Sequence, residues 1–240
     1  MDPTGEQVSH GFEDVAFLFT SDNRNRGTLR MNFDEAALLW KSVRATRGGV
    51  LEIGRRFGGS TVLLAMAARD RTITSIDIAP EHASVAQAFF DRPEIAARLE
   101  LLVADSRKTL AGRRFGMLFI DGYHAFEGVL CDVEAHWNSL QGESPLLCVF
   151  HDAVPNAGLH PEPDSVVAIA EAVRTRADDP LLTNHFIGVE FVCEFLASRG
   201  CARRVESAGS VLVLEKSADL PADFGATARN EFPVWKGSTP

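Results

Sequence analysis

Two polar stretches of the sequence carry the residue types that acid–base chemistry requires. Asp121 and His124 lie in the first stretch, and in the second His151 is followed directly by Asp152. A histidine titrates close to neutral pH, so His124 is a candidate general base and His151 is a second one. Two carboxylates in one cleft repel each other unless something neutralises them, so Asp121 and Asp152 are expected to have partners. The pattern predicts a site that removes a proton from a bound substrate.

Glycines that follow an apolar run mark a second candidate site. Glu52 ends the run, Gly54, Gly58 and Ser60 come next, and residues 61–68 are typical of a helix. Glycine tolerates positive φ and lets the backbone approach a ligand, and a helix N-terminus presents unpaired N–H groups. The stretch lacks the Gly-Lys-Ser/Thr of a phosphate-binding loop, and Glu52 is expected to place a carboxylate beside the ligand. These features favour a nucleotide cofactor that carries positive charge.

A predicted strand at residues 72–77 supports this interpretation. The strand ends in Asp77, about 20 residues beyond the glycines, where a carboxylate that binds ribose hydroxyls is expected. Ile78 follows directly and is assigned to the same cofactor site.

Apolar strands alternate with helices along most of the chain. Predicted strands cover residues 50–52, 72–77, 99–103, 114–120 and 146–150, and predicted helices cover 34–46, 81–90, 125–140, 164–176 and 189–197. This alternation indicates an α/β fold with a parallel sheet that is covered on both faces and binds ligands at the carboxyl ends of its strands. Residues 201–206 and 211–215 are typical of a hairpin.

The glycine stretch resembles the first motif of the class I S-adenosylmethionine-dependent methyltransferases, whose pattern is met by Glu52, Gly54, Gly58 and Ser60. Within that class the chain is most similar to small-molecule O-methyltransferases of the catechol and natural-product types, over roughly residues 30–216. The resemblance implies S-adenosylmethionine as the cofactor. It also implies a Rossmann-like, doubly wound sheet of seven strands, mostly parallel, with an antiparallel hairpin at its C-terminal end.

The same resemblance assigns further contacts with the cofactor. Asp105 is expected to lie against the adenine amino group with Ser106 beside it, and the alternative role of Asp105 is to cap a helix or turn. Asn32 is expected to close over the cofactor, as the Met-Asn pair of catechol-type enzymes does. Asp121 is expected to contact the cofactor as well as the reacting centre.

The polar stretches resemble a second motif, from a natural-product methyltransferase family, which is met by Asp121, Gly122, His124, Glu127, Asp132, Trp137, His151 and Asp152. Some relatives bind Mg²⁺ through the acid after the fourth strand and two adjacent residues after the fifth. The resemblance therefore implies Asp121 and Asp152 as ligands of Mg²⁺, which would lower the pKa of a coordinated hydroxyl. The third ligand position is Ala153 here, so Asn156, His151 or water would have to replace it.

The chain divides into three predicted parts. Residues 1–32 form an N-terminal helical lid or oligomerisation segment, residues 33–217 the methyltransferase domain, and residues 218–240 a C-terminal tail. His160 lies in the long loop after the fifth strand, and this loop is expected to line the substrate mouth. Both chain ends are apolar, which usually marks contacts, so a homodimer or larger homo-oligomer is expected.

Composition narrows the class of partner. The chain has 240 residues with 24 basic and 33 acidic side chains and a net charge of −9, which argues against binding to nucleic acid or to an anionic membrane surface. The four cysteines show no C-x-x-C spacing, and the N-terminal residues do not resemble a signal peptide, so a cytoplasmic protein is expected. No apolar run reaches the length of a membrane span.

The predicted function is methyl transfer from S-adenosylmethionine to a hydroxyl of a small metabolite or natural product. The acceptors considered include sugar hydroxyls. One alternative is an NAD-dependent oxidoreductase, although Arg56 departs from the Gly-x-Gly-x-x-Gly pattern of that class. The other is an S-adenosylmethionine-binding accessory protein of an oxygenase, which the missing third metal ligand leaves open.

Overall fold

A seven-stranded sheet forms the centre of the molecule. The structure is a computed structural model and describes residues 11–19, 28–82, 84–153 and 186–232. The strands are β1 Val50–Ile53, β2 Ile73–Asp77, β3 Leu99–Val103, β4 Met117–Ile120, β5 Leu147–Phe150, β6 Ala202–Ala208 and β7 Val211–Lys216. Their order across the sheet is β3-β2-β1-β4-β5-β7-β6. The predicted fold class is confirmed, including the antiparallel hairpin.

The strand directions decide where a ligand can bind. Strands β1 to β5 are parallel, and β7 is antiparallel to both β5 and β6. All residues of β1, β4 and β5 are buried, as expected for parallel strands that are covered on both faces. The strand order reverses between β1 and β4, so a crevice opens at their carboxyl ends.

Helices cover both faces of this sheet. They are α1 Phe33–Ala45, α2 Gly59–Ala67, α3 Ser84–Phe90, α4 Pro93–Ala96, α5 Ser106–Thr109, α6 Phe126–His136, α7 Phe186–Ser198 and α8 Phe224–Glu231, with 3-10 helices at Phe12–Phe19 and Trp137–Ser139. Alternate strand residues face opposite layers. Leu51 and Leu118 pack with residues of α6, α7 and α8, whereas Val50 and Met117 pack with residues of α1 and α2.

Several element boundaries differ from the sequence-based prediction. Helix α3 begins at Ser84 rather than residue 81, and β4 begins at Met117 rather than residue 114. The helix predicted to reach residue 140 ends at His136 and continues as a 3-10 turn in which Trp137 is fully buried. The predicted helix at 164–176 and the residues Asn156 and His160 lie outside the described residues.

Both chain ends pack on the domain where the structure describes them. Near the N-terminus, Val15 and Leu18 of the first 3-10 helix are buried. Residues 218–240 were predicted to be a C-terminal tail, and the described part of this tail contains α8, whose Phe224 is buried. Phe232 stacks on Phe126 with ring centroids 4.0 Å apart. Phe224 and Phe232, which look scattered in the sequence, are therefore core residues.

No helix in the described ranges has the length and the apolar composition that a bilayer crossing requires.

We expect Gly54→Ala to destabilise the protein, because the chain after β1 and the chain after β4 lie too close together at this position to leave room for a side chain. Gly54 has φ +89°, and a Cβ there would lie 2.0 Å from the carbonyl oxygen of Asp121. Overpacking of this kind lowers the free energy of unfolding by about 1–3 kcal/mol, measurable by denaturant titration. Gly112→Ala is the control, since Gly112 has φ +83° and no atom within 4 Å of an added Cβ. An equal loss in both variants would show that the contact with Asp121 is not the cause.

Candidate active site

A cavity of about 920 Å³ lies at the carboxyl ends of the parallel strands. Residues at or just after the carboxyl end of each of β1 to β5 line it, among them Gly54, Asp77, Asp105, Asp121 and Asp152. This is the crevice that the reversal in strand order predicts, and its volume suits a nucleotide cofactor together with a small second molecule.

Asp77 fastens the glycine loop at one end of this cavity. Its Oδ2 accepts hydrogen bonds from the backbone N–H groups of Arg55 and Arg56 at 2.8 and 2.7 Å, and its Oδ1 accepts one from Ala79 at 2.7 Å. Burial raises the pKa of Asp77, but the three amide donors outweigh this and hold it below its ordinary value. Asp77 therefore stays ionised beside the cavity, as a ligand for ribose hydroxyls must.

Glu52 does not lie where the sequence analysis expected it. The residue is fully buried and is absent from the cavity wall. Its carboxylate accepts hydrogen bonds from the hydroxyls of Ser60 at 2.6 Å, Thr61 at 2.5 Å and Ser75. Burial raises the pKa of Glu52 against the opposing effect of these donors. Glu52 thus joins the start of α2 to β1 and β2, and of this set only Ser60 reaches the cavity.

Gly58 and Arg55 shape the loop before α2. The sequence analysis singled out Gly58 but not Arg55. Gly58 is the N-cap of α2, with φ +88°. The guanidinium of Arg55 is buried and donates to the carbonyl oxygens of Ser75 at 2.6 Å and Leu102 at 3.3 Å, and its Nε donates to His82 at 2.8 Å. Arg55 therefore ties the loop to β2 and β3. A charged residue between glycines gave no signal that it would be buried.

Asp105 and Ser106 lie at the wall of the cavity after β3. Asp105 caps α5 by accepting from the N–H of Arg107, and it also binds the Arg107 guanidinium at 2.7 Å. Its alternative role as a cap is thus present, and its predicted contact with adenine stays a prediction. The hydroxyl of Ser106 donates to Asp132 at 2.5 Å. Burial raises the pKa of Asp132 to about 6, against the opposing effect of that hydroxyl.

Two apolar side chains are exposed at the cavity. Ile78 and Tyr123 each leave 73% of their surface accessible, and both line the cavity. Ile78 was predicted to contact the cofactor, whereas Tyr123 was not. The signal for Tyr123 was its place between Gly122 and His124 just after β4, where a large side chain has no core to enter.

Asn32 takes a structural position. Its side-chain oxygen accepts from the N–H of Glu35 at 2.9 Å, and its own N–H donates to the Glu35 carboxylate at 2.8 Å. This capping box starts α1. Residues 28–31 directly before it line the cavity, whereas Asn32 does not. The predicted contact between Asn32 and the cofactor stays a prediction.

The residues chosen for acid–base chemistry come together at the other end of the cavity. Nε2 of His124 lies 3.1 Å from Oδ1 of Asp121, and Nδ1 of His124 lies 3.0 Å from Oδ2 of Asp152. Nδ1 of His151 lies 3.2 Å from Oδ1 of Asp121 and 3.5 Å from Oδ1 of Asp152. We call Asp121, His124, His151 and Asp152 the Asp–His cluster. Two imidazoles alternate in it with two carboxylates.

Charge in the Asp–His cluster is balanced internally. Burial lowers the pKa of both imidazoles, but the two carboxylates outweigh it and raise the pKa of His124 to about 9 and that of His151 to about 10. Burial raises the pKa of Asp121 and Asp152, and the imidazoles outweigh it and hold both below the ordinary value. At neutral pH the two carboxylates are therefore neutralised by two imidazolium ions. This is the neutralising partner that the sequence analysis required.

The donor set of this cluster does not fit Mg²⁺. Donor atoms of Asp121, His124 and His151 lie within 4.8 Å of one another. Mg²⁺ prefers oxygen ligands in octahedral geometry, whereas imidazole suits later transition metals. Both carboxylates already have imidazole partners, and the buried Ala153 offers no side-chain ligand. The expectation of Mg²⁺ bound by Asp121 and Asp152 therefore finds no support in the geometry.

Comparison with known proteins agrees with the fold. The sequence profile of a family described as "Methyltransferase domain" matches residues 51–153. This range is less than half of the chain, and over it the chain is similar to that family. The matched range begins in β1 and ends just after the Asp–His cluster, so it contains both Asp77 and the Asp–His cluster.

One curated relative matches part of the chain. It is the catechol O-methyltransferase of Mycobacterium tuberculosis (strain ATCC 25618 / H37Rv), 39% identical over 88 residues. The match covers 35% of this chain and 39% of that protein, which is less than half the length of either.

Solved structures cover most of the chain. The O-methyltransferase from Bacillus cereus in complex with SAH is 19% identical, covers 85% of this chain and 90% of its own, and gives a TM-score of 0.54. The O-methyltransferase TomG from Streptomyces achromogenes, involved in tomaymycin synthesis and in complex with SAM, is 20% identical, covers 85% and 96%, and gives a TM-score of 0.51. At this level of identity the likeness concerns the fold.

We expect Asp77→Ala to weaken the binding of S-adenosylmethionine and of its demethylated product. The substitution removes the predicted acceptor for the ribose hydroxyls and releases the loop amides of Arg55 and Arg56. The loss should be about 1.5–3 kcal/mol in calorimetry, the size of hydrogen bonds to a charged group. Asp91→Ala is the control, since Asp91 is exposed and does not line the cavity. A binding heat with NAD, and none with S-adenosylmethionine or its demethylated product, would contradict the cofactor assignment.

Proposed function

We propose that the protein is an S-adenosylmethionine-dependent O-methyltransferase that acts on a hydroxyl of a small metabolite or natural product, sugar-containing molecules included. The observation that carries this proposal is the pairing of two sites in one cavity. Asp77 lies at one end as an ionised acceptor, and the Asp–His cluster lies at the other end as acid–base machinery. The relatives described above are O-methyltransferases, which supports the same reaction.

The cavity wall suggests an orientation for the cofactor. Asp77 would accept from the ribose hydroxyls, Ile78 would cover one face of the adenine, and Asp105 with Ser106 would lie at its edge. Gly54 and Asp121, at the crevice between β1 and β4, would hold the methionine end of the cofactor. S-adenosylmethionine, when bound, supplies a methyl group on a positively charged sulfur. The Asp–His cluster would hold the accepting hydroxyl in line with that group.

His124 is the residue that we propose as the general base. It lies between Asp121 and Asp152, which fix its ring from both nitrogens. The substrate hydroxyl would take the place of one carboxylate beside a ring nitrogen. Its proton would pass to that nitrogen of the neutral imidazole as the oxygen–carbon bond forms and the carbon–sulfur bond breaks, which releases the demethylated cofactor. His151 would remain an imidazolium and keep both carboxylates ionised, because its pKa is raised to about 10. No step in this scheme requires a metal ion.

The alternative functions make different demands on the structure. A dinucleotide oxidoreductase of the common type has strand order 3-2-1-4-5-6, whereas β7 is inserted antiparallel between β5 and β6 here. An accessory protein that binds the cofactor without methyl transfer would not require the balanced Asp–His cluster. Methyl transfer is the function that uses both ends of the cavity.

We propose a cytoplasmic location, because the four cysteines are all free, as expected in a reducing compartment.

We expect the rate of methyl transfer to rise with pH in the wild type. His124 must be neutral to accept a proton, and its pKa of about 9 leaves it protonated at pH 7. The neutral fraction and the rate should therefore increase by about tenfold per unit between pH 7 and 8 and level off above pH 9. The measurement is release of demethylated cofactor, with catechol and a panel of sugar and phenolic hydroxyls as acceptors.

His124→Ala should remove this pH dependence and lower the rate by about 10²–10⁴, the usual contribution of a general base. Binding of S-adenosylmethionine should survive in this variant, since Asp77 is intact.

Exhaustive chelation should leave wild-type turnover unchanged. Loss of turnover on chelation and recovery with Mg²⁺ would instead favour metal-assisted catalysis through Asp121 and Asp152.

We also propose a homodimer or larger assembly, with the N-terminal segment as the contact. Phe12 packs on Phe33 with ring centroids 5.0 Å apart, and Phe33 leaves 58% of its surface exposed. Exposed aromatic groups of this kind usually mark contacts. Light scattering at micromolar concentration should give at least twice the chain mass of 26.1 kDa. A monomeric mass would exclude this assembly; Phe33→Ser should shift the equilibrium toward the monomer.

A further inference from the structure

Glu35 is a buried carboxylate beside the Asp–His cluster that the chemistry described so far does not use. Its residue surface is 6% exposed, and it lies in the first turn of α1. The segment 28–31 that lines the mouth of the cavity ends just before this turn. Glu35 therefore stands between the cavity wall and the sheet.

Most of its acceptor positions are used by two backbone segments. Oε2 accepts from the N–H of Asn32 at 2.8 Å, which completes the capping box. Oε1 accepts from the N–H and the hydroxyl of Ser210, in the β6–β7 turn, at 2.7 and 2.9 Å. A Cβ on Gly209, which has φ +56°, would lie 2.4 Å from Oε1. The turn thus closes tightly around this carboxylate.

The Glu35 carboxylate also faces the imidazole of His151. Nε2 of His151 lies 4.0 Å from Oε2 of Glu35. Both ring nitrogens of His151 are buried and meet no strict hydrogen-bond geometry among the described residues. The other nitrogen of the same ring, Nδ1, faces Asp121 and Asp152. The imidazole of His151 therefore lies between a carboxylate behind it and two carboxylates in front of it.

The capping box by itself does not explain a charged residue at position 35. Glutamine serves in a capping box as well as glutamate, because only an acceptor oxygen is needed. A hydroxyl and an amide can likewise bind a neutral acceptor. A buried negative charge is costly unless a cation compensates it. Among the described residues, His151 is the only histidine within 4.0 Å of the Glu35 carboxylate.

We propose that Glu35 is a positioning residue that holds the His151 ring with Nδ1 facing Asp121 and Asp152. The distance of 4.0 Å would shorten to a hydrogen bond when a ligand fills the cavity and presses on segment 28–31, since catalytic hydrogen bonds are often long before substrates bind. Glu35 would then couple the cavity mouth and the β6–β7 turn to the reacting centre. This assignment rests on the proposed function only for its effect on turnover.

The test compares Glu35→Gln with Ser210→Ala in protein that carries ¹⁵N-labelled histidine. Glu35→Gln removes the charge but keeps an acceptor for the capping box, whereas Ser210→Ala removes one donor to Glu35 and leaves the charge facing His151. Ring-nitrogen spectra report the hydrogen bonding of each imidazole, and His151→Asn identifies the His151 signals by their loss. Glu35→Asp, which draws the carboxylate back by one methylene, replaces Glu35→Gln if that variant does not fold.

We expect Glu35→Gln to shift the Nε2 signal of His151 and Ser210→Ala to leave it in place. With catechol as the acceptor, kcat should fall at least about tenfold in Glu35→Gln while KM for S-adenosylmethionine changes little. An unchanged His151 signal together with a lower melting temperature would show that Glu35 is only structural and would overturn the proposal. If the wild type binds no S-adenosylmethionine, the proposed function fails, and the His151 signal still decides the role of Glu35.

Discussion

The close approach of β1 to β4 at their carboxyl ends is the constraint on which the site depends. Gly54 leaves room for the carbonyl of Asp121, and the N–H of Asp121 donates to Ile53 at 2.8 Å. The same geometry continues across the sheet, where the N–H of His151 donates to Ile120 at 3.1 Å. Because these backbone positions are fixed to each other, Asp77 and the Asp–His cluster open into one cavity. A wider gap would separate cofactor binding from acid–base chemistry.

Buried polar groups behind the cavity hold its loops in place. Glu52 binds hydroxyls from α2 and β2, Arg55 spans to β3, and Glu35 joins α1 to the β6–β7 turn. Each of these side chains is almost completely buried and has hydrogen-bond partners, which is what a charged group requires away from water. Glu52 and Glu35 do not line the cavity, whereas Arg55 does. All three pre-organise the backbone around the cavity, so that binding needs little rearrangement.

The Asp–His cluster combines two properties that are hard to reconcile. Two carboxylates side by side provide a strongly negative site, yet His124 and His151 neutralise it, and their pKa values are raised to about 9 and 10 as a result. The two carboxylates are therefore neutralised without an added cation, and the proposed base His124 is protonated at neutral pH. A positively charged sulfonium nearby would favour loss of one proton. In the proposed function, cofactor charge and activation of the base would be linked in this way.

The sequence by itself determined the fold class, the hairpin and the clustering of Asp121, His124, His151 and Asp152, because strand-end positions in a parallel sheet meet at one edge. It did not determine what each polar side chain contacts. Glu52 carries the expected motif but points into the protein, and Asn32 caps a helix. Local pattern fixes where a residue stands along an element. Only the packing of α1, α2 and the β6–β7 turn against the sheet decides whether its charge meets a ligand, a hydroxyl or another side chain.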